Sequence, residues 1–371
     1  MSSALMYINN RFKNLTGSDG GEDIRRWNTL FTMINPGVTF MDRTGNLKMP
    51  IRTTIRPEMR IPTYEPNFSM TYEECCQARV RELLAKQEQL DVPIRLMYSG
   101  GIDSSLVLTS FIKELGQAEA EKRLQVFLSM ESIEENPWMW ERILRRSNFT
   151  ILNGESHAGD WGKDRIMIGG ECNDQVLGSD TYRNLLHWGG PGFLSKPWTE
   201  TILTEYHMWR GLTQTDAEMW TRLLSDHLRR APCVVETVAD WWWWINFSCK
   251  WNFVYYRILL YARDHSHINA DYMDNYYYQF YSDDNFQRWS MVDRTHKVTD
   301  TWLSYKWHAR KLVADLCGDE YNQKLKRGSL WRLLGFKPVA ELLDDDFNYV
   351  MDVNAGNIDD WYLPDNSFRN I

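Results

Sequence analysis

Residues Ile94–Ser105, reading IRLMYSGGIDSS, constrain the fold more than any other stretch of the chain. Ile94, Leu96 and Met97 form a short apolar run between Pro93 and a glycine pair, the pattern of a buried strand in a parallel sheet. Ser104–Leu115 then carries Leu106, Val107, Leu108, Phe111, Ile112 and Leu115 at helical spacing, with Gly116 placed as a C-terminal cap. Strand, tight loop and helix in this order aim backbone N–H groups and a helix N-terminus at one point, which makes an anion site. Gly100 and Gly101 let the backbone approach the anion, and Ser99, Ser104 and Ser105 add hydroxyl donors. No lysine follows the glycines, so this is not the phosphate loop of kinases and GTPases. Asp103 stands there instead, and a carboxylate in a phosphate nest suits a magnesium ion shared with the phosphates.

The neighbouring sequence extends this unit into an α/β chain. Thr71–Glu74 is a capping box that opens a helix to about Leu90. Leu124–Met130 predicts a second strand, Pro137–Arg146 a helix, Phe149–Leu152 a third strand, and Arg165–Ile168 a fourth that runs into Gly169-Gly170. Such alternation predicts a parallel, doubly wound sheet with ligands at the carboxyl ends of its strands. From about Leu194 the pattern turns helical, over Tyr206–Arg210, Ala217–Arg230 and Cys233–Arg263. Trp241–Trp244 is a run of tryptophans inside the last of these, and consecutive helix positions point in different directions. A helix buried on several sides is expected there, not a stacking platform for bases. The implied division is an N-terminal extension of short strands and loops (1–70, including Phe31–Ile34 and Val38–Met41) and a main domain (71–345). Within that domain the α/β core covers about 91–190 and the helical part about 194–345, and an acidic tail (346–371) follows.

A net charge of −8 and a pI of about 5.6 argue against broad binding to nucleic acid or anionic membranes. The six cysteines show no C-x-x-C spacing, so neither a zinc site nor a disulfide framework is expected. No signal pattern and no membrane-length apolar run stands out, which makes a cytoplasmic location the expectation.

A second constellation follows the fourth strand, in GGECNDQVLG (Gly169–Gly178). Glu171 and Asp174 fall at the same sheet edge as the first loop, where Asp174 can share a metal ion with Asp103 and Glu171 can act as a base or grip an amine. SGGIDSS resembles the signature of the ATP pyrophosphatase (PP-loop) superfamily, whose members cleave ATP to AMP and pyrophosphate. The second segment resembles the motif S-G-E-G-[AS]-D-E-[LIF]-F-G of the synthetase domain of the asparagine synthetase family. Gly170, Glu171, Asp174 and Gly178 fall on its positions. Gly169, Cys172, Asn173 and Gln175 replace its Ser, Gly, small residue and second Glu, and Ser179-Asp180 stands where the family has Gly-Tyr. FYSDDNFQRWSM (Phe280–Met291) is similar to the family's PFLDHRLVEFAL, with Asp283 on the aspartate. KWHAR (Lys306–Arg310) and KLKRG (Lys324–Gly328) are similar to K-x-x-L-R and R-P-K-x-G. Lys306 and Arg310 match the first of these, and Lys326 falls on the second motif's lysine. The resemblance spans roughly Pro93–Trp331, in family order.

What the resemblance implies is an adenine nucleotide alpha-hydrolase-like fold and a two-step reaction with ATP and Mg2+. A substrate carboxylate would be adenylated with release of pyrophosphate, and ammonia or an amine would then take the acyl group. ATP and pyrophosphate would be held by Ser99, Gly100, Gly101, Asp103, Ser104, Ser105, Gly170 and Asp174, with the metal on Asp103 and Asp174. Leu128, Ser129 and Met130 would meet the adenine through their backbone. Glu171 and Lys326 would be catalytic, the lysine stabilising developing charge and contacting pyrophosphate. No N-terminal nucleophilic cysteine of the family's glutaminase domain precedes the loop, since the chain starts Met1-Ser2-Ser3 and its first cysteine is Cys75. A small-molecule carboxylate and an amine or ammonia are therefore the expected partners, with a separate glutaminase and a homo-oligomer as further candidates. Two other readings stay open: a PP-loop enzyme acting on a nucleobase or tRNA, and a catalytically degenerate nucleotide-binding interaction protein.

Overall fold

In a computed structural model, residues 42–47, 59–153, 161–179, 181–256, 270–294, 298 and 304–323 are described. Helix α1 (Tyr72–Leu90) begins at Thr71, whose side chain accepts from the Glu74 N–H while the Glu74 carboxylate takes the Thr71 N–H, the expected capping box. β1 (Ile94–Met97) leads through Ser99–Gly101 into α2 (Ile102–Leu115). After α3 (Gln117–Arg123) come β2 (Leu124–Leu128), α4 (Met130–Glu135), α5 (Pro137–Arg142), β3 (Thr150–Asn153) and β4 (Ile166–Gly169). Helices α6 (Asn173–Leu177), α7 (Tyr182–Gly189), α8 (Glu200–Trp209), α9 (Gln214–Leu228) and α10 (Val238–Ile245) follow. A π-helical turn (Asn246–Lys250) joins α10 to α11 (Trp251–Tyr256). The rest is α12 (Ala270–Asn275), β5 (Tyr277–Gln279), α13 (Asp284–Val292) and α14 (Trp307–Cys317).

The five strands form one all-parallel sheet in the order β3-β2-β1-β4-β5. Leu96 at its centre pairs with Val126 on one side and Ile168 on the other. The sequence explains this placement: β4 is buried at every residue, as a central parallel strand must be, whereas β2 alternates and β3 is partly exposed. The chain lays β2 and β3 to one side of β1 and then returns to lay β4 and β5 on the other. Between β1 and β4 the order reverses, and a crevice at the strands' carboxyl ends opens at such a point.

Helix α2 packs on the sheet at β1, and Leu106, Val107, Leu108 and Phe111, spread around its circumference, are all fully buried. Burying each such side chain contributes about 1.5–3 kcal/mol. Its other face is covered too, by α1 and α14, so Thr109 and Ser110 turn their hydroxyls back to the Ser105 and Leu106 carbonyls, at 2.9 and 2.7 Å. The tryptophan run behaves as its spacing predicts: Trp241, Trp242, Trp243 and Trp244 are all buried in α10.

Several boundaries differ from those expected. Helix α2 starts at Ile102, two residues before the expected Ser104, so Asp103 sits in its first turn and not in the loop. The second strand stops at Leu128, because Ser129 caps the next helix and Met130 is that helix's first residue. The helix from Pro137 ends at Arg142 and tightens into a 3-10 turn at Leu144–Arg146. The later half is not purely helical, since β5 joins the sheet edge; three residues with a buried glutamine carry no strand alternation to detect. Phe31–Ile34, Val38–Met41 and the acidic tail lie outside the described residues. Among the described residues, no helix is long and apolar enough to cross a membrane.

Candidate functional site

The loops after β1 and β4 meet at the reversal point of the sheet. Gly100 takes φ +71°, and a Cβ there would overlap the Ser132 carbonyl, so the turn can hold only glycine. Gly101 caps α2, and the Ser99 and Ser104 hydroxyls lie 3.1 Å apart, with Ser104 Oγ also accepting from the Ser99 N–H. Ser105 is fully buried; its hydroxyl faces the Gly100 carbonyl at 3.4 Å and accepts from Asn136 Nδ2 at 3.0 Å. It therefore braces the loop from behind.

On the other side, a Cβ at Gly170 would stand 3.1 Å from the Ser104 nitrogen, so the two loops are in contact. Gly169 has no room for a side chain because the Gln279 carboxamide fills that space. Gln279 Oε1 accepts the Glu171 N–H at 3.0 Å, which fixes the start of the second loop from β5. Cys172 adopts φ +74°, a left-handed conformation that favours glycine, at the position where the resembled motif has one. Gln175 is buried and donates to Asn246, whose own amide donates to the Asp174 and Gly178 carbonyls at 3.0 and 2.7 Å. That glutamine belongs to the scaffold of the loop, not to its open side.

Between the loops, Lys306 Nζ lies 2.6 and 2.8 Å from the Asp103 carboxylate oxygens and 2.8 Å from Asp174. Tyr305 donates its hydroxyl to Asp174, and Asn173 Nδ2 donates to Asp103 at 2.7 Å. Tyr72 in turn donates to Asn173 at 2.7 Å, and the Tyr281 hydroxyl holds the Asp103 carbonyl at 2.7 Å. The lysine side chain is 2% exposed, while those of Asp103 and Asp174 are 21% and 33% exposed. The ammonium thus sits beneath two carboxylates that still reach the surface. Burial works against its charge, but Asp103 and then Asp174 outweigh burial and hold it well above the usual lysine range. Lys306 reaches this place from a left-handed backbone at φ +58°, directly before α14. Arg310, one turn on, donates to the Tyr305 carbonyl at 3.1 Å; burial lowers its pKa, partly offset by Tyr321 and Asp103.

Asp103 and Asp174 keep part of their carboxylates at the surface above the buried Lys306 ammonium, and Arg310 also acts on Asp103. Hard oxygen donors of this kind fit a divalent cation that also takes phosphate oxygens. Asp103 and Asp174 would hold it.

Of the residues expected to act, the fold brings together Ser99, Gly100, Gly101, Asp103, Ser104, Gly170 and Asp174, with Glu171 on the same loop. Leu128 buries its side chain in the core, and Ser129 caps α4 with its hydroxyl 3.3 Å from that of Ser132. Asp283 caps α13, accepting from the Asn285 N–H at 2.8 Å, and burial raises its pKa against the pull of Arg79. Lys326 lies outside the described residues. Asn173, Tyr305, Tyr281 and Gln279 were not foreseen, and Lys306 was noted without a role. Their partners are far away in sequence; Lys306, Asn173 and Tyr281 fall in segments marked by the family resemblance, and Tyr305 and Gln279 in none. Comparison with known proteins returns nothing: no family model, no curated protein and no solved structure matches the chain.

Proposed function

We propose that the chain is an ATP-dependent amide-forming synthetase, on a doubly wound fold of the adenine nucleotide alpha-hydrolase type. Right-handed crossovers on a sheet of this strand order put helices on both faces, which supports the fold. What carries the functional reading is the meeting of Asp103, Asp174 and Lys306 between two glycine loops at the sheet's reversal point. Gln175 and Cys172, two departures from the resembled motif, support it further, since one packs inward and the other keeps the turn.

In this reading the loop N–H groups, Ser99 and Ser104 bind the β- and γ-phosphates of ATP. The substrate carboxylate oxygen attacks the α-phosphorus, a new O–P bond forms, and the P–O bond to pyrophosphate breaks. Magnesium on Asp103 and Asp174 would neutralise the departing pyrophosphate. Lys306 holds both carboxylates in place. Ammonia or an amine then attacks the acyl carbon, releasing AMP, with Glu171 receiving the amine's proton or orienting it. Lys326 would meet pyrophosphate from the segment after α14, and the backbone of Leu128–Met130 would meet the adenine.

The test is pyrophosphate release from Mg-ATP across a panel of carboxylates with ammonia and simple amines, for wild type and Asp103→Ala. Release that depends on one carboxylate and is lost in the variant supports the synthetase. Release that needs RNA instead moves the reading to a nucleobase enzyme. ATP binding without turnover under every condition overturns catalysis and leaves a nucleotide-binding interaction protein.

A further inference from the structure

Away from the nucleotide site, three segments distant in sequence bring a carboxylate, an imidazole and a thiol together in the interior. Asp42 belongs to the short stretch 42–47, His227 to the last turn of α9, and Cys249 to the π-helical turn after α10. Their donor atoms lie within 4.8 Å of one another, and all three residues are buried. The Arg43 N–H donates to the Ser248 carbonyl at 2.9 Å, which clamps the first segment onto the turn.

We propose that Asp42, His227 and Cys249 bind a divalent transition metal of the zinc type, as a clasp between residues 42–47 and the helical half. The donors are those such an ion prefers: thiolate sulfur, imidazole nitrogen and one carboxylate oxygen. Cys249 Sγ lies 3.7 Å from His227 Nε2. Tetrahedral angles with Zn–S of about 2.3 Å and Zn–N of about 2.0–2.1 Å place those two atoms about 3.6 Å apart. Asp42 Oδ1 accepts from the Thr44 N–H and hydroxyl, and Oδ2 accepts from the Leu47 N–H. These bonds hold the carboxylate in place beside His227 and Cys249. Ser248 Oγ, 2.8 Å from Nε2 and 3.3 Å from Sγ, borders the same space and donates to the Trp244 carbonyl.

Charge points the same way. On binding, the Cys249 S–H bond breaks, an S–metal bond forms and one proton passes to solvent. Asp42 and the new thiolate then match the two positive charges. Arg43 directs its guanidinium to the Met59 carbonyl, to Gln287 Oε1 and over the rings of Phe247 and Trp251. Ligands spread over three segments explain why cysteine spacing gave no sign of a site. A single-turn π-bulge is a rare element that recurs at functional positions, and here it carries the thiol.

The experiment is titration of the EDTA-treated full chain with Co2+ alone, followed by Zn2+. The expected result is one equivalent of Co2+ with intense visible bands of a tetrahedral ion and a near-ultraviolet thiolate-to-cobalt band, both removed by Zn2+. Cys249→Ser should lose the thiolate band and keep its far-ultraviolet circular dichroism, while Cys233→Ser and Cys317→Ser retain it. Where Cys249→Ser does not fold, His227→Gln should lose tetrahedral binding instead. A wild-type protein that gives no thiolate band, or a band that survives Cys249→Ser, overturns the proposal. Pyrophosphate release plays no part in this readout, so the two readings stand or fall separately.

Discussion

The two glycine loops and the tryptophan-rich helices are both buried at their centres, yet they are held by opposite means. At the loops, specificity comes from polar groups with assigned partners: Lys306 with two aspartates, Tyr72 with Asn173, Gln279 with Glu171. In α10 it comes from volume. Trp241 packs on Trp242 at 4.8 Å between ring centroids, Trp243 on Phe247 at 5.3 Å, and Tyr206 on Trp242 at 5.6 Å. Trp243 donates its indole N–H to Ser290, while those of Trp241, Trp242 and Trp244 are buried without an acceptor among the described residues. The first region fixes charges where a reaction would need them; the second supplies rigidity, and tolerates unsatisfied N–H groups in exchange for contact area.

That contrast can be broken from either side. Lys306→Met should cut kcat/KM for pyrophosphate release by about 100-fold or more, because it removes a preset charge from the site. Its melting temperature should move little, since both aspartates reach water; a variant that unfolds instead would make Lys306 a core element and erase the distinction. Trp244→Ala should do the reverse, costing roughly 3–5 kcal/mol in a denaturant titration while the surviving folded fraction keeps its affinity for ATP.

The helical half should also respond to pH. His207 is buried between Thr221 and the rings of Trp241 and Trp242, and burial lowers its pKa to about 4. The unfolded chain takes up that proton near 6.5 and the folded one only near 4, so stability is present above 6.5 and lost on the way down. The loss is about 3 kcal/mol between those limits. Urea midpoints measured across pH 7 to 4 should fall, and His207→Gln should flatten the slope, leaving the smaller part that His227 contributes with the same sign.

The smallest effect belongs to the loops. Cys172→Gly relieves a left-handed backbone, and should change stability by about 1 kcal/mol or less, with no loss of activity. A large loss of turnover would mean that the Cys172 side chain touches substrate.

Much of the loop region was legible because its chemistry is local. Ser99–Ser105 encodes strand end, turn and helix start in consecutive residues, and Thr71–Glu74 encodes its own cap. The tryptophan helix was legible for the same reason, since four adjacent bulky residues leave no exposed face. What stayed hidden is long-range. Lys306 pairs with Asp103 across the whole α/β core and helical half, and no spacing rule links them. β5 escaped because a three-residue strand is decided by the edge it joins, not by its own alternation.

β5 also bears on how the molecule comes into being. Its Gln279 holds the Glu171 backbone, and Tyr281, just beyond it, holds that of Asp103. A ribosome that has finished β1 to β4 has therefore made the first loop and reached the start of the second, without Gln279, Tyr281 or Lys306 to hold them. During translation the nascent sheet waits with one edge unpaired until the helical half has emerged. If the proposed function holds, nucleotide capture should accordingly appear late, when residues 277–306 leave the exit tunnel.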